Sequence, residues 1–367
     1  MKLGIAGNAR PPIARVGPDA ARTEATGFTT ALYADHMMGW FPDSIWTPAH
    51  TAAATARPSP HDYLDPACTV MAAAAATERL TLGVGVTDVL RTNPAVVART
   101  ALTLDHATEG RFVLGLGAGE AENLVPYGIA MDDAVSRLEA GLEIIRTLWE
   151  ADGPVSLDNG YWPLRDAVLG LAPHVADQPP RIWLAARGPR MRRLTAEHAD
   201  GWLPMFVDPD EYASSLADIQ GRRAAAGRSG PFDAALYAFV AVGESREHCR
   251  AMFESPVFRC LGLLLPASAY ARHGLEHPLG SGRYGLLDFV PSSWDESAAL
   301  ELLAGVPPEI VGEAIIHGSA DDVADDLRRY ADAGCDQAIL ANVSFLTDPT
   351  LVRPSYAAFD RLVSALA

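Results

Sequence analysis

Short apolar runs bounded by Gly, Asp or Arg recur along the whole chain, with amphipathic stretches of helical period between them, and no other feature limits the possible folds as much. Eight such runs stand out: Leu3 to Ala6, Thr30 to Ala34, Leu82 to Thr87, Phe112 to Gly117, Arg181 to Ala186, Gly201 to Phe206, Leu236 to Val242 and Gln337 to Val343. Strands laid parallel need crossovers, and helices are the usual ones. Eight βα units predict an α/β fold closed as a (β/α)8 TIM barrel, one domain over residues 1–367.

The intervening helices have local signatures. Val135, Leu138, Leu142, Ile145 and Trp149 form one apolar stripe, Asn93-Pro94 caps a helix that carries Val97, Ala101 and Leu104, and Ser319 with Asp322 opens another that Gly334 ends. Between the seventh and eighth runs, residues 244–316 are too long and too rich in Pro and Gly for a simple crossover. They are read as an insertion over the barrel mouth.

Charge excludes several functions. With 46 acidic and 29 basic residues the formal net charge is −17, which repels nucleic-acid backbones and anionic membranes. Lys2 is the only lysine, so arginine must hold any anion and Schiff-base chemistry lacks a residue. Cys68, Cys249, Cys260 and Cys335 are scattered without metal or disulfide spacing, and no apolar run reaches the roughly 18 residues of a membrane span, so a cytoplasmic location is expected.

Two literal motifs are discounted. His273-Gly-Leu-Glu276-His277 fits a zinc-peptidase string, but Gly274 and Pro278 deny it the helix that this chemistry needs, and no metal site is expected. Gly280 to Gly285 matches GxGxxG with no strand before it, and a turn is expected.

The strings that matter end strands, where a barrel gathers its active site. Asp35 and His36 close the second run, with Trp40 four residues on; the imidazole could exchange a proton near neutrality or could be a structural histidine. Gly115, Gly117 and Gly119 alternate through the end of the fourth run and just beyond it, giving either a side-chain-free floor for a planar ring or relief of crowding, and Glu120 projects next. Gly188-Pro189 after the fifth run starts a helix whose free amides, with Arg190, make an anion site or an ordinary turn. Thr87 ends the third run behind Gly83 and Gly85.

Taken together, in order and spacing, these strings resemble the bacterial luciferase-like superfamily and, within it, the F420-dependent oxidoreductases. ADHMMGW, RTNPAV and GEAEN are similar to F420-dependent glucose-6-phosphate dehydrogenases; VTDVLRTNPAV, GEAENLVPYG, AARGPRM and ARHGLEHPLG are closer to mycobacterial phthiodiolone ketoreductases. The resemblance implies that Asp35, Thr87, Ala118, Gly119, Asn123, Arg187, Gly188, Arg190 and Met191 bind the deazaflavin coenzyme F420. It implies that His36 and Glu120 are acid and base, that Trp40 stabilises the reacting centre, and that a non-prolyl cis peptide falls near Gly85 and Val86. The lysines that hold sugar phosphate in the dehydrogenases are missing, which tells against glucose 6-phosphate, and the ketoreductase-like insertion implies a bulky or apolar carbonyl or alcohol instead. Hydride transfer at the deazaflavin C5 is the implied reaction, and relatives are commonly homodimers. An FMN-dependent monooxygenase and a non-catalytic flavin-binding barrel are the alternatives.

Overall fold

The computed structural model describes residues 1–366. Its strands, in chain order, are β1 (Lys2–Ala6), β2 (Thr30–Tyr33), β3 (Thr81–Thr87), β4 (Phe112–Leu116), β5 (Val155–Leu157), β6 (Leu164–Ala167), β7 (Arg181–Leu184), β8 (Gly201–Trp202), β9 (Asp233–Val242), β10 (Ile315–Gly318) and β11 (Gln337–Asn342). β1, β2, β3, β4, β7, β8, β9 and β11 pair in parallel, each with the next, and β9 bonds both β8 and β11, which closes the (β/α)8 barrel.

Closure leaves the strands covered on both faces, so β2 is buried at all four positions and β4 at all five. Inside, Leu32, Val113, Trp183, Leu203, Ala235 and Ile339 meet in one layer and plug the barrel below its C-terminal mouth. The outside is clothed as the sequence predicts. Asn93 accepts a hydrogen bond from the Ala95 amide at 2.9 Å and caps the helix Pro94–Ala107, which buries Val97, Ala101 and Leu104. In the helix Ala134–Glu150 the stripe turns inward, and Trp149 donates its indole N–H to the Ala98 carbonyl. Ser319 and Asp322 form a reciprocal capping box on the helix Ala320–Asp332, and Gly334 beyond it has a left-handed φ of 93°.

The sixth run is shorter than predicted. Only Gly201–Trp202 is strand, because Pro204 has no N–H to give a ladder and Phe206 takes a positive φ of 57°. Two elements escape the sequence reading: the antiparallel hairpin β5–β6, and β10, which begins inside the 244–316 stretch and lies along the C-terminal half of β9.

The stretch between β9 and β10 folds into short helices with a core of their own. Phe253, Phe258, Leu261, Val306 and Ile310 pack there with Ile45 and Trp46 of the long β2 connection, and with Phe239, Ala341 and Val343 at the ends of β9 and β11. His277 is structural. It is buried, its Nε2 faces the Leu263 and Leu265 carbonyls at 3.1 Å, and its Nδ1 accepts from the Leu279 amide. Gly274, Gly280 and Gly282 all have positive φ, so both discounted motifs lie in turns. All four cysteines are free thiols.

Candidate active site

Where the barrel strands end, the chain leaves a cavity of about 1140 Å³. One wall is nearly free of side chains: Gly85, Val86 and Thr87 from β3, Gly117 to Gly119 beyond β4, and Ala185 and Ala186 beyond β7. The peptide Gly85-Val86 is cis, as the resemblance implies, and the β3–β4 register shifts between Val84 and Thr87. The alternating glycines divide between the two roles left open for them. A Cβ on Gly115 would collide with the Val84 carbonyl and one on Gly119 with the Leu124 and Leu90 side chains, so these two relieve crowding, whereas Gly117 has only cavity-lining neighbours, Val86 and Ala185. Gly119 also needs its φ of 91°.

At one end of the cavity lies a cluster built by the β2 and β4 connections. Asn123 fixes its polarity. The side-chain carbonyl of Asn123 accepts from the Met37 amide at 2.8 Å and the Met38 amide at 3.3 Å, so its NH2 group is the side that meets His36 Nδ1, at 2.9 Å. His36 Nδ1 is therefore an acceptor and the ring proton sits on Nε2. Among the described residues that nitrogen makes no hydrogen bond, and it is not sealed from solvent. Burial, then the charges of Arg10 and Arg91, push the imidazole down to about 3, so it is neutral at physiological pH.

Two carboxyls face this ring. Glu120 Oε2 and Glu122 Oε1 each lie 3.8 Å from Nδ1, with side-chain exposures of 22% and 0%. Asn123 reaches both, at 3.4 and 3.3 Å. Burial raises the pKa of Glu120; burial and the neighbouring Glu120 raise that of Glu122 well above the carboxylate range. Trp40 donates its indole N–H to Glu122 Oε1 at 2.9 Å and stands edge-on to His36, ring centres 4.8 Å apart. His36, Trp40 and Glu120 thus lie together in one cluster.

Asp35 and Thr87 line the same cavity, but Asp35 is already engaged. Arg91 bonds it at 2.8 Å and Asp88 at 2.6 Å, joining the β2 and β3 connections. Where β7 ends, on the same cavity, Gly188 is the N-cap, without a side-chain cap, of the helix Pro189–His198. Arg187 bonds Glu211 through two nitrogens, at 2.9 and 2.8 Å, while its third, Nη1, is buried without a partner. Ala118, Gly119, Asn123, Arg187, Gly188 and Met191 all line the cavity. Arg190 does not: its guanidinium bonds Ser136 and Glu139 on the surface. Arg192 lines it instead, its position held by Asp218 and the Arg187 carbonyl.

Sequence reasoning passed over Glu122, Arg91 and Glu211. Glu122 stands in the quoted GEAEN string and Arg91 in RTNPAV, so the signal was an acid or base beside an already suspected residue. Glu211, far along the chain, had no such marker.

A closed parallel barrel with titratable groups at its C-terminal mouth and a bare wall for a planar ring defines a class of cofactor-dependent enzymes. The chain belongs to the luciferase-like monooxygenase family, matched over residues 2–337. It is 37% identical over 333 residues to a phthiodiolone/phenolphthiodiolone dimycocerosates ketoreductase of Mycobacterium kansasii, covering 89% of this chain and 90% of that one. Identity to a 5,10-methylenetetrahydromethanopterin reductase of Archaeoglobus fulgidus is 30% over 267 residues, 72% of this chain and 77% of the relative. Among solved structures, an F420-dependent secondary alcohol dehydrogenase in complex with an F420-acetone adduct shares the fold at a TM-score of 0.76, with 20% identity, over 100% of this chain and 99% of that one. The protein is an oxidoreductase. Among the described residues no helix is long and apolar enough to cross a membrane.

Proposed function

We propose that this chain is an F420-dependent oxidoreductase that reduces a bulky, largely apolar ketone or oxidises the corresponding alcohol. The observation that carries the reading is the neutral imidazole of His36, polarised by Asn123 and set beside a carboxyl of raised pKa at one end of a bare-walled cavity. The residues present fit a deazaflavin. The wall of Gly117, Ala118 and Gly119 carries no side chain larger than a methyl, which leaves room for a tricyclic ring. The uncapped amides after Gly188 and the unpartnered Nη1 of Arg187 suit the phosphate of its tail. When bound in its reduced form, the coenzyme supplies the hydride at C5.

The protein's share of the chemistry then divides by protonation state. His36 Nε2–H donates a hydrogen bond to the substrate oxygen, as a neutral electrophile rather than an imidazolium. Glu120, with its raised pKa and partial exposure, holds the proton that this oxygen takes and recovers it from solvent. Trp40, Phe41, Tyr237, Phe239 and Leu286 form apolar cavity wall around the reacting centre, which favours a large hydrophobic substrate. Separate anaerobic titrations with F420 and FMN test the reading. Binding of F420, with turnover of reduced F420 on a panel of apolar ketones, is expected; tight FMN binding with no F420 binding would assign the site to FMN chemistry instead.

A further inference from the structure

Glu122 has no place in that division of labour, yet its burial needs an explanation. Its side chain is fully buried and, unlike Glu120 and Asn123, it does not line the cavity. Oε1 is occupied by the Trp40 indole and the Asn123 amide, whereas Oε2 is sealed with no hydrogen-bond partner. No arginine bonds it. An ionised carboxylate so placed would be an uncompensated buried charge, and one oxygen atom from it lies within 4.8 Å of an oxygen of Glu120 and a ring nitrogen of His36. Two carboxyls that close do not ionise together in a dry site.

We propose that Glu122 is a positioning residue: a carboxyl that stays protonated, that anchors the Trp40 indole through one oxygen, and that offers the O–H on the other to Glu120 as Glu120 gives up its proton. This rests on the oxidoreductase reading for its catalytic meaning but not for its protonation state. In the reductive direction the Glu120 proton passes to the substrate oxygen while hydride reaches the carbonyl carbon. The Glu120 carboxylate that remains is stabilised by the Glu122 hydroxyl, and solvent returns the proton to Glu120. Glu122 itself neither gains nor loses a proton over the cycle. The other titratable or charged groups acting on the pair are His36, Tyr63, Asp88, Arg91, Tyr237 and Tyr284.

Glutamine copies a protonated glutamate in shape and donor capacity, and leucine copies neither donor nor acceptor. Glu122→Gln should therefore keep kcat within a few-fold of wild type, while Glu122→Leu should lose ~10- to 100-fold, the range below that of a direct acid. The alkaline limb of the wild-type kcat profile, where Glu122 finally ionises, should move up or vanish in Glu122→Gln. Equal kcat and identical profiles in all three proteins would overturn the proposal, since a residue that merely fills space would leave both unchanged.

A second measurement needs no turnover. Infrared difference spectra of the apo protein, wild type minus Glu122→Gln, should contain a protonated-carboxyl band at neutral pH; a carboxylate pair of bands there would refute it. Stability provides the sign. A carboxyl whose folded pKa is raised stabilises fully below its unfolded value of ~4.3 and loses that contribution as pH rises through the folded value. Wild type should thus fall behind Glu122→Gln in Tm progressively as pH rises from that point. If turnover is absent but the band and the Tm divergence are present, it is the functional reading that has failed and not the protonation state of Glu122.

Discussion

The two ends of the cavity treat charge in opposite ways. At the Gly188 end the guanidiniums that line the cavity are matched: Arg187 to Glu211 and Arg192 to Asp218. At the His36 end Arg91 is matched to Asp35 and Asp88, but the carboxyls of Glu120 and Glu122 have no cationic side chain bonded to them, and the imidazole beside them is neutral. Paired charges hold their shape, which suits the grip on a fixed anion. Unpaired acids in a dry pocket stay neutral and keep a proton available, which suits a reaction. On the proposed reading one end binds and the other reacts, and substitutions at the two ends should separate affinity from turnover.

The largest effects should come from the reactive end. On the proposed reading Glu120→Gln removes the transferable proton and His36→Ala the donor to the substrate oxygen; each should lower kcat by ~100- to 10,000-fold and leave the dissociation constant of F420 within a few-fold. Stopped-flow reduction measured beside equilibrium titration reads both quantities. A loss of cofactor affinity equal to the loss of rate would erase the distinction between the ends.

The binding end should give a smaller and complementary response. Arg187→Ala removes the guanidinium whose Nη1 is free for an anion and leaves Glu211 unpaired beside it. A charge-assisted hydrogen bond contributes roughly 1.5–3 kcal/mol, so the F420 dissociation constant should rise by about 10- to 100-fold while kcat at saturation changes little. Arg190→Ala should be nearly silent in the same titration, because its partners are Ser136 and Glu139 outside the cavity. Equal losses in the two variants would mean that the tail runs over the helix surface rather than into the cavity.

This division also marks what could be read from the sequence. Asp35-His36, Trp40 and the glycines after β4 are legible because strand ends and side-chain-free runs leave local patterns. The tautomer of His36 is not, since it depends on which way Asn123 points, and that is decided by the amides of Met37 and Met38 some 85 residues earlier in the chain. Arg190 was legible as a cation next to a helix start, but nothing local shows that its side chain turns outward while that of Arg192, two residues on, turns in. The barrel strands were found for the same reason as the rim, through burial on both faces. β8 shrank because Pro204 and Phe206 break its ladder, and β10 was hidden because four residues carry too little periodicity to stand out within a Pro- and Gly-rich stretch.

The smallest expected effect lies between the ends, on the glycine wall, and it tests whether the cavity needs that wall bare. A Cβ at Gly117 would come to 3.1 Å from Val86 Cγ2 and 3.9 Å from the Ala185 Cβ, a tight fit that a slight shift of Val86 could absorb. Gly117 has no positive φ, so alanine there is not strained by its backbone. Gly117→Ala should therefore change thermal stability by less than ~1 kcal/mol while weakening F420 by several-fold, because the added methyl stands where the ring would rest. Gly115→Ala supplies the contrast. Its Cβ meets the Val84 backbone rather than the cavity, so it should destabilise the barrel without a selective effect on binding. If Gly117→Ala binds F420 as tightly as wild type, the planar ring does not lie against this wall, and the separation of binding and reacting ends would have to be redrawn around another face of the cavity.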